Sequence, residues 1–228
     1  MKSRRLVMDY VPDIIDNEKV KLSDVLNSYI SERSDVYIAT AYFNLRGFEL
    51  IKDKLNIAKE VKILIGREIL PENVISHKNL EEKLQSEIEE RIDERETKDL
   101  LEEVISFFRK ENVQIRIYKD GFFHGKFYII DGGVPTTNSI VIVGSSNFTH
   151  AGLTSNREFN SVIKQESSAN VHKEKFLELF YKNAEDYKSE LIELFSNFVR
   201  QYPPYEVYMK ILYSYFSKYL EDKTSGRS

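Results

Sequence analysis

The chain contains no cysteine, which excludes disulfide bonds and thiolate zinc sites. It also lacks a long apolar run: no stretch approaches the ~20 residues that a membrane-spanning helix needs. The opening residues, Met1 to Asp9, lack the apolar core of about 7–15 residues that marks a secretory signal. Together these absences predict a cytoplasmic protein with no membrane partner. An excess of basic charge is missing too. Lys and Arg number 33 against 37 Asp and Glu, for a net charge of −4, so composition does not mark a generically basic nucleic-acid binder. The imbalance is local: Glu81 to Glu103 is dominated by acid, and the remainder is closer to neutral or mildly basic. What is there, 228 residues, suffices for one sizeable α/β domain or for one domain with an appendage.

The candidate chemistry of the chain lies between Phe122 and Glu158. His124, Lys126 and Asp131 form H-x-K-x4-D, Ser145 and Asn147 form G-S-x-N, and Glu158 follows. Phe123 to Ile130 is aromatic and β-branched and is bounded by Gly121 and by Gly132-Gly133, which predicts a strand. On such a strand His124 and Lys126 share one face, and Phe127 and Ile129 point the other way, toward a core. Ile140 to Val143 is continuously apolar and predicts a buried strand. It ends in Gly144-Ser145-Ser146-Asn147, residues suited to a turn. If the two strands are neighbours, imidazole, ammonium, hydroxyl and carboxamide converge at one sheet end. That set suits a tetrahedral oxyanion: lysine supplies a point charge, serine and asparagine supply neutral donors, and histidine can attack or move a proton. H-x-K-x4-D alone arises by chance in roughly a few per cent of chains this long, and G-S-S-N alone is an ordinary loop. The information is in the two together, in this order.

The rest of the chain reads as a frame for that stretch. Leu22, Val25, Leu26, Tyr29 and Ile30 have helical spacing and lead into a predicted strand over Val36–Phe43. Asn44 is a candidate N-cap for a helix over Phe48–Ala58, and Val61–Gly66 is a second strand. Two successive βα units argue for a sheet covered on both faces. Arg46 and Arg67 each follow a strand closely and are either phosphate contacts at a strand end or solvated surface arginines. His77 to Lys110 reads as a charged helical insertion with a thin stripe of Leu80, Leu84, Ile88 and Ile92; its acids, mixed with Lys and Arg, predict a solvated face with ion pairs rather than a metal site. Leu100, Leu101, Val104, Ile105 and Phe108 should dock on the sheet. Val113–Tyr118 alternates as a strand, and Gly132 to Asn138 is a hairpin-like connection. His150 is a second imidazole in a loop context and is not taken as catalytic. Glu158 to Lys164 predicts the last core strand. From Asn170 onward the pattern is helical to the end, with an aromatic face from Tyr205 to Tyr219. The expected division is a catalytic domain over 1–166 and a C-terminal helical extension over 167–228 that can lead into a further domain.

His124-Gly125-Lys126, Asp131, Gly144-Ser145-Ser146-Asn147 and Glu158 resemble the signature of the phospholipase D superfamily, in its nuclease-like branch. Val36–Phe43 resembles that family's first core strand, and the similarity spans about Ser34 to Lys164. The resemblance implies an α/β fold, with a mixed central β-sheet and helices on both faces. It also implies a two-step displacement at phosphorus. One histidine attacks to form a phosphohistidine, and a second protonates the leaving oxygen and then activates water. No cofactor and no metal are implied. The chain carries one such motif, so two copies should meet across a two-fold axis, each contributing His124. Lys126 and Asn147 would hold the non-bridging oxygens with help from Ser145. Glu158 would orient His124, and Asp131 would secure the motif strand. The implied partner is nucleic acid, DNA first, in a context such as restriction. The layout also resembles phospholipase D-like domains at the N-terminus of superfamily-two helicases, which would place a helicase domain in cis or in trans. The competing expectations are a phospholipid phosphodiesterase and a non-catalytic DNA-binding or dimerisation module.

Overall fold

A computed structural model describes residues 11–66, 78–90, 94–133 and 139–201. The elements run β1 (Ile14–Ile15), α1 (Leu22–Tyr29), β2 (Asp35–Thr40), α2 (Leu45–Ile57), β3 (Glu60–Ile65), α3 (Lys78–Glu89), α4 (Glu94–Phe108) and β4 (Val113–Tyr118). They continue with β5 (Phe127–Asp131), β6 (Ile140–Gly144), α5 (His150–Thr154), β7 (Asn160–Ile163), α6 (Glu166–Lys182), β8 (Ala184–Asp186) and α7 (Lys188–Gln201). Arg67, His77, Ile92, the connection at 134–138 and the aromatic stretch from Tyr205 to Tyr219 lie outside the described residues.

One mixed sheet in the order β1-β7-β6-β5-β2-β3-β4-β8 organises the described residues. β2, β3 and β4 are parallel neighbours, joined by helical crossovers; β5 and β6 are antiparallel. The strands alternate between two cores, as a sheet buried on both faces requires. Val36, Ile38, Val61, Ile63, Ile130 and Ile142 join the larger core with α1, α2, α4 and α7. Tyr37, Ala39, Leu64, Ile129 and Val141 pack beneath α6, against Phe176 and Phe180. Phe176 and Phe180 are fully buried, each contributing about 1.5–3 kcal/mol by area. The mixed sheet with helices on both faces is therefore the fold expected from the sequence.

Asn44 caps α2 as expected: its Oδ1 accepts from Gly47 N at 2.8 Å. Three expectations are corrected. The strand expected over Phe123–Ile130 begins only at Phe127. Its partner β2 pairs with it only as far as Ala39↔Phe127 and ends at Thr40, so the residues before Phe127 have no ladder on that side. The strand expected over Val36–Phe43 likewise stops at Thr40, and Phe43 keeps only an isolated bridge to Phe148. The helical run expected from Asn170 is broken by β8, which pairs antiparallel with the edge of β4. The acidic insertion is also more engaged than a solvated face. Leu84 and Ile88 of α3 are buried, and Glu87 accepts from Leu45 N at 2.8 Å and Arg46 N at 2.9 Å at the start of α2. Glu81 accepts from Tyr187 Oη at 2.6 Å.

Candidate active site

The antiparallel β5–β6 pair puts the residues before β5 and those after β6 at the same end of the sheet. Phe127 pairs with Val143, and Gly144 N donates to Lys126 O at 3.2 Å. The H-x-K segment and the G-S-S-N turn are thereby brought together. Two close backbone approaches make this possible. A Cβ on Gly144 would lie 2.2 Å from Phe159 O, and one on Gly66, just past β3, would lie 2.3 Å from Phe123 O. Both distances are shorter than any side chain allows, so the turn and the segment that carries His124 each need a glycine beneath them.

The G-S-S-N turn is tied down from below. Asn160, 1% exposed, accepts from Ser146 N at 3.3 Å and donates to Ser146 Oγ at 2.9 Å and to Ile15 O at 3.1 Å. Thr40 Oγ1 donates to Tyr42 O at 2.7 Å and accepts from Phe148 N at 2.9 Å. Asn147 Oδ1 accepts from Tyr42 N at 3.1 Å. A backbone N–H can only donate, so this contact fixes which end of the amide is oxygen. The Nδ2 group is left as the donor that Asn147 can offer a ligand. Ser145 Oγ donates to Glu158 Oε2 in a short hydrogen bond and accepts from Phe159 N at 3.0 Å.

Lys126 is buried, with its Nζ donating to His124 O at 2.8 Å. Burial lowers its pKa below the usual lysine value, and the charge of Glu158 opposes that shift. Tyr128, wholly buried beneath the site, donates to Ser146 O at 3.1 Å. Its phenol is pushed well above its ordinary value by burial first and by Glu158 second. The Glu158 carboxylate thus acts electrostatically on both residues. His124 is exposed. Its ring stacks on Phe122, with centroids 5.3 Å apart and planes at 19°, and meets Tyr42 edge-on at 6.4 Å. The Lys83 ammonium lies over the Tyr42 ring at 4.5 Å.

This arrangement places an exposed imidazole beside a lysine, a serine hydroxyl, an amide donor and a carboxylate. It can hold an anion and offer it a nucleophile. A family model described as "Cardiolipin synthase, PLD-like domain" matches residues 26–180, which is more than half of the chain. The chain belongs to the phospholipase D-like family. No curated protein sequence matches it. Among solved structures it is similar to NucT from Helicobacter pylori, at 15% identity over 72% of this chain and 87% of that one, with a TM-score of 0.44. It is also similar to Nuc, a phospholipase D family member from Salmonella typhimurium, at 17% identity over 73% and 88%, with a TM-score of 0.42. Phosphatidylserine synthase from Haemophilus influenzae is 18% identical over 89% of this chain and 42% of its own length, with a TM-score of 0.49.

In this phospholipase D-like domain, His124, Lys126, Ser145, Asn147 and Glu158 gather at one sheet end. Asp131 does not join them. It lies at the opposite end of β5, where it accepts from Ser139 Oγ at 2.7 Å and pairs with Lys173 of α6. The expected contact of Glu158 with His124 is absent within one chain. Glu158 is held by Ser145 instead, and among the described residues the His124 ring has aromatic contacts with Phe122 and Tyr42 and no side-chain hydrogen bond. Arg46 is exposed on the first turn of α2. His150 opens α5, and its backbone N–H donates to Asn44 Oδ1 at 3.2 Å. The reading from sequence missed Asn160, Thr40 and Tyr42. The available signal was an asparagine at an inward position of a strand and a threonine ending a buried one, since a buried polar side chain must have partners.

Proposed function

We propose that this phospholipase D-like domain is a nuclease, hydrolysing phosphodiester bonds of nucleic acid, DNA first, in a composite site made by two copies. The observation that carries the proposal is the convergence of Lys126, Ser145, Asn147 and Glu158 beside an exposed His124. The single H-x-K motif and its resemblance to the nuclease-like branch support it. His124 Nε2 of one copy attacks phosphorus as the bond to the leaving oxygen breaks, and His124 of the second copy gives that oxygen its proton. The second imidazole then takes a proton from water, which attacks phosphorus and frees the first. Lys126 Nζ and Asn147 Nδ2 stabilise the charge on the non-bridging oxygens. A pair of coupled imidazoles, one acting as base and one as acid, gives a bell-shaped dependence of rate on pH. A profile flat between acid and neutral pH counts against the pair.

The test is incubation of the purified protein with plasmid DNA in EDTA, beside His124→Ala. Cleavage by the wild type alone is expected; undiminished cleavage by the variant refutes the role of His124. Cleavage that stops in EDTA refutes metal independence. A second reading, transfer or hydrolysis at a phospholipid headgroup, is favoured by the name of the matching family model. Turnover of phosphatidylglycerol vesicles with no cleavage of plasmid would establish it in place of the nuclease.

A further inference from the structure

We infer that Phe122 is a stacking platform for an unpaired nucleobase beside the scissile phosphodiester, so that the site selects single-stranded nucleic acid. This rests on the nuclease reading above and names its substrate class. Phe122 is 55% exposed, so its ring is open to a ligand. One of its faces is already used: it lies nearly parallel to the imidazole of His124 at 5.3 Å and 19°. Tyr42 also meets the imidazole edge-on and carries the Lys83 ammonium over its own ring. The outer face of Phe122 is thus the end of a short aromatic column that begins at the attacking group. A base stacked there extends the column by one layer and leaves its phosphate within reach of His124 and Lys126. Bases offer a π-face whatever their identity, so such a platform is tolerant of sequence. In a duplex the bases are stacked and paired with each other, and a base reaches the ring only by leaving the stack, which costs free energy.

Phe159 supplies a control. It is 65% exposed and lies at the same end of the sheet, next to Glu158, but its ring has no contact with His124 among the described residues. The experiment measures kcat/KM of the full chain, as wild type, Phe122→Ala, Phe122→Trp and Phe159→Ala. The substrates are a fluorescent single-stranded oligonucleotide, the same strand carrying an abasic stretch, and the duplex. The wild type is expected to favour the intact single strand over both others by about 10- to 100-fold, the range of one stacked base. Phe122→Ala should collapse that ratio toward one, Phe122→Trp should keep it, and Phe159→Ala should leave it unchanged. A loss of positioning of His124 lowers all three rates together and does not move the ratio.

The inference is overturned by a wild-type ratio near one, by Phe122→Ala lowering all substrates equally, or by Phe159→Ala collapsing the ratio as well. It is also overturned if Phe122→Ala turns a dimer into a monomer by light scattering, which would make the ring part of the contact between copies. If the wild type cuts no strand at all, the nuclease reading fails, and fluorescence anisotropy with the same strands still decides. Binding that ignores the abasic replacement overturns the platform.

Discussion

The two ends of β5 carry parts of one sequence motif and are built on opposite principles. At the Asp131 end the motif carboxylate is fully engaged. Asp131 takes Ser139 Oγ and the ammonium of Lys173, which also lies over the Tyr37 ring at 5.4 Å. Burial alone would raise the Asp131 pKa; the hydrogen bonds from Lys173 and Ser139 outweigh it and hold the carboxyl below its usual value. At the His124 end His124 and the Asn147 donor are left short of partners among the described residues. His124 has no side-chain hydrogen bond among the described residues, and Lys126 is a charge held where burial penalises it. Asn147 spends its oxygen on Tyr42 and keeps its donor. One end supplies stability; the other gives some up for a site that a substrate anion would complete, the usual trade between stability and activity.

Substitutions at the two ends should therefore divide into effects on activity and effects on stability. His124→Ala should lower turnover by about 10³-fold or more and leave the thermal midpoint unmoved; a large drop in the midpoint would show that the imidazole is structural. Lys126→Met should lower turnover by about 10²–10³-fold. Its folded pKa is depressed, so the folded state binds this proton less tightly than the unfolded chain does. The charged form weakens the fold at neutral pH, and that penalty fades only as pH rises toward the free lysine value. The variant should then unfold at the same urea concentration as the wild type at pH 7, or at a higher one. A lower midpoint would break the contrast.

Asn160→Ala tests the support beneath the turn. It leaves Ser146 N and Ile15 O buried without this partner, at a cost of about 1–3 kcal/mol. Loosening Ser145 and Asn147 should lower kcat about 10-fold or more in the fraction that stays folded. Stability lost without any change in kcat would mean that the turn holds its shape unaided. Asp131→Asn is the smallest expected effect: a loss of about 1 kcal/mol at pH 7 with kcat unchanged. The folded pKa is depressed, so this contribution is complete above the unfolded carboxylate value and is lost as pH falls through the lower folded value. Urea midpoints of variant and wild type should differ at pH 7 and converge only as pH falls below the ordinary carboxylate range. A loss of kcat would place Asp131 in the chemistry despite its distance along the strand.

The part of this molecule legible in the sequence is the part encoded by local pattern. Val113–Tyr118 alternates and forms β4 over the same residues. Asn44 precedes a helix and caps it. The spacing from His124 to Asn147 pointed to one site because a hairpin is a short-range device. What stayed hidden depends on contacts distant in sequence. Strand propensity at Phe123–Lys126 was genuine but had no partner to satisfy, because β2 ends at Thr40. Asn160 reads as one polar residue in an alternating strand until Ser146 and Ile15 are seen around it. Glu87 belongs to an acid-rich helix with nothing to distinguish it from its neighbours, yet it alone of them closes the first amides of α2.

The pairing of Phe127 with Val143 has a kinetic consequence. Residues that meet across one hairpin are close in sequence, and closing a short loop takes little entropy from the chain. The two halves of the motif can thus find each other before the parallel strands β2, β3 and β4, whose crossovers are long, have finished assembling. A slip of one residue in that early pairing would turn Lys126 to the α6 side of the sheet and Phe127 toward the site. The tie from Gly144 N to Lys126 O marks the alignment in which the nascent hairpin commits the lysine to its proper face.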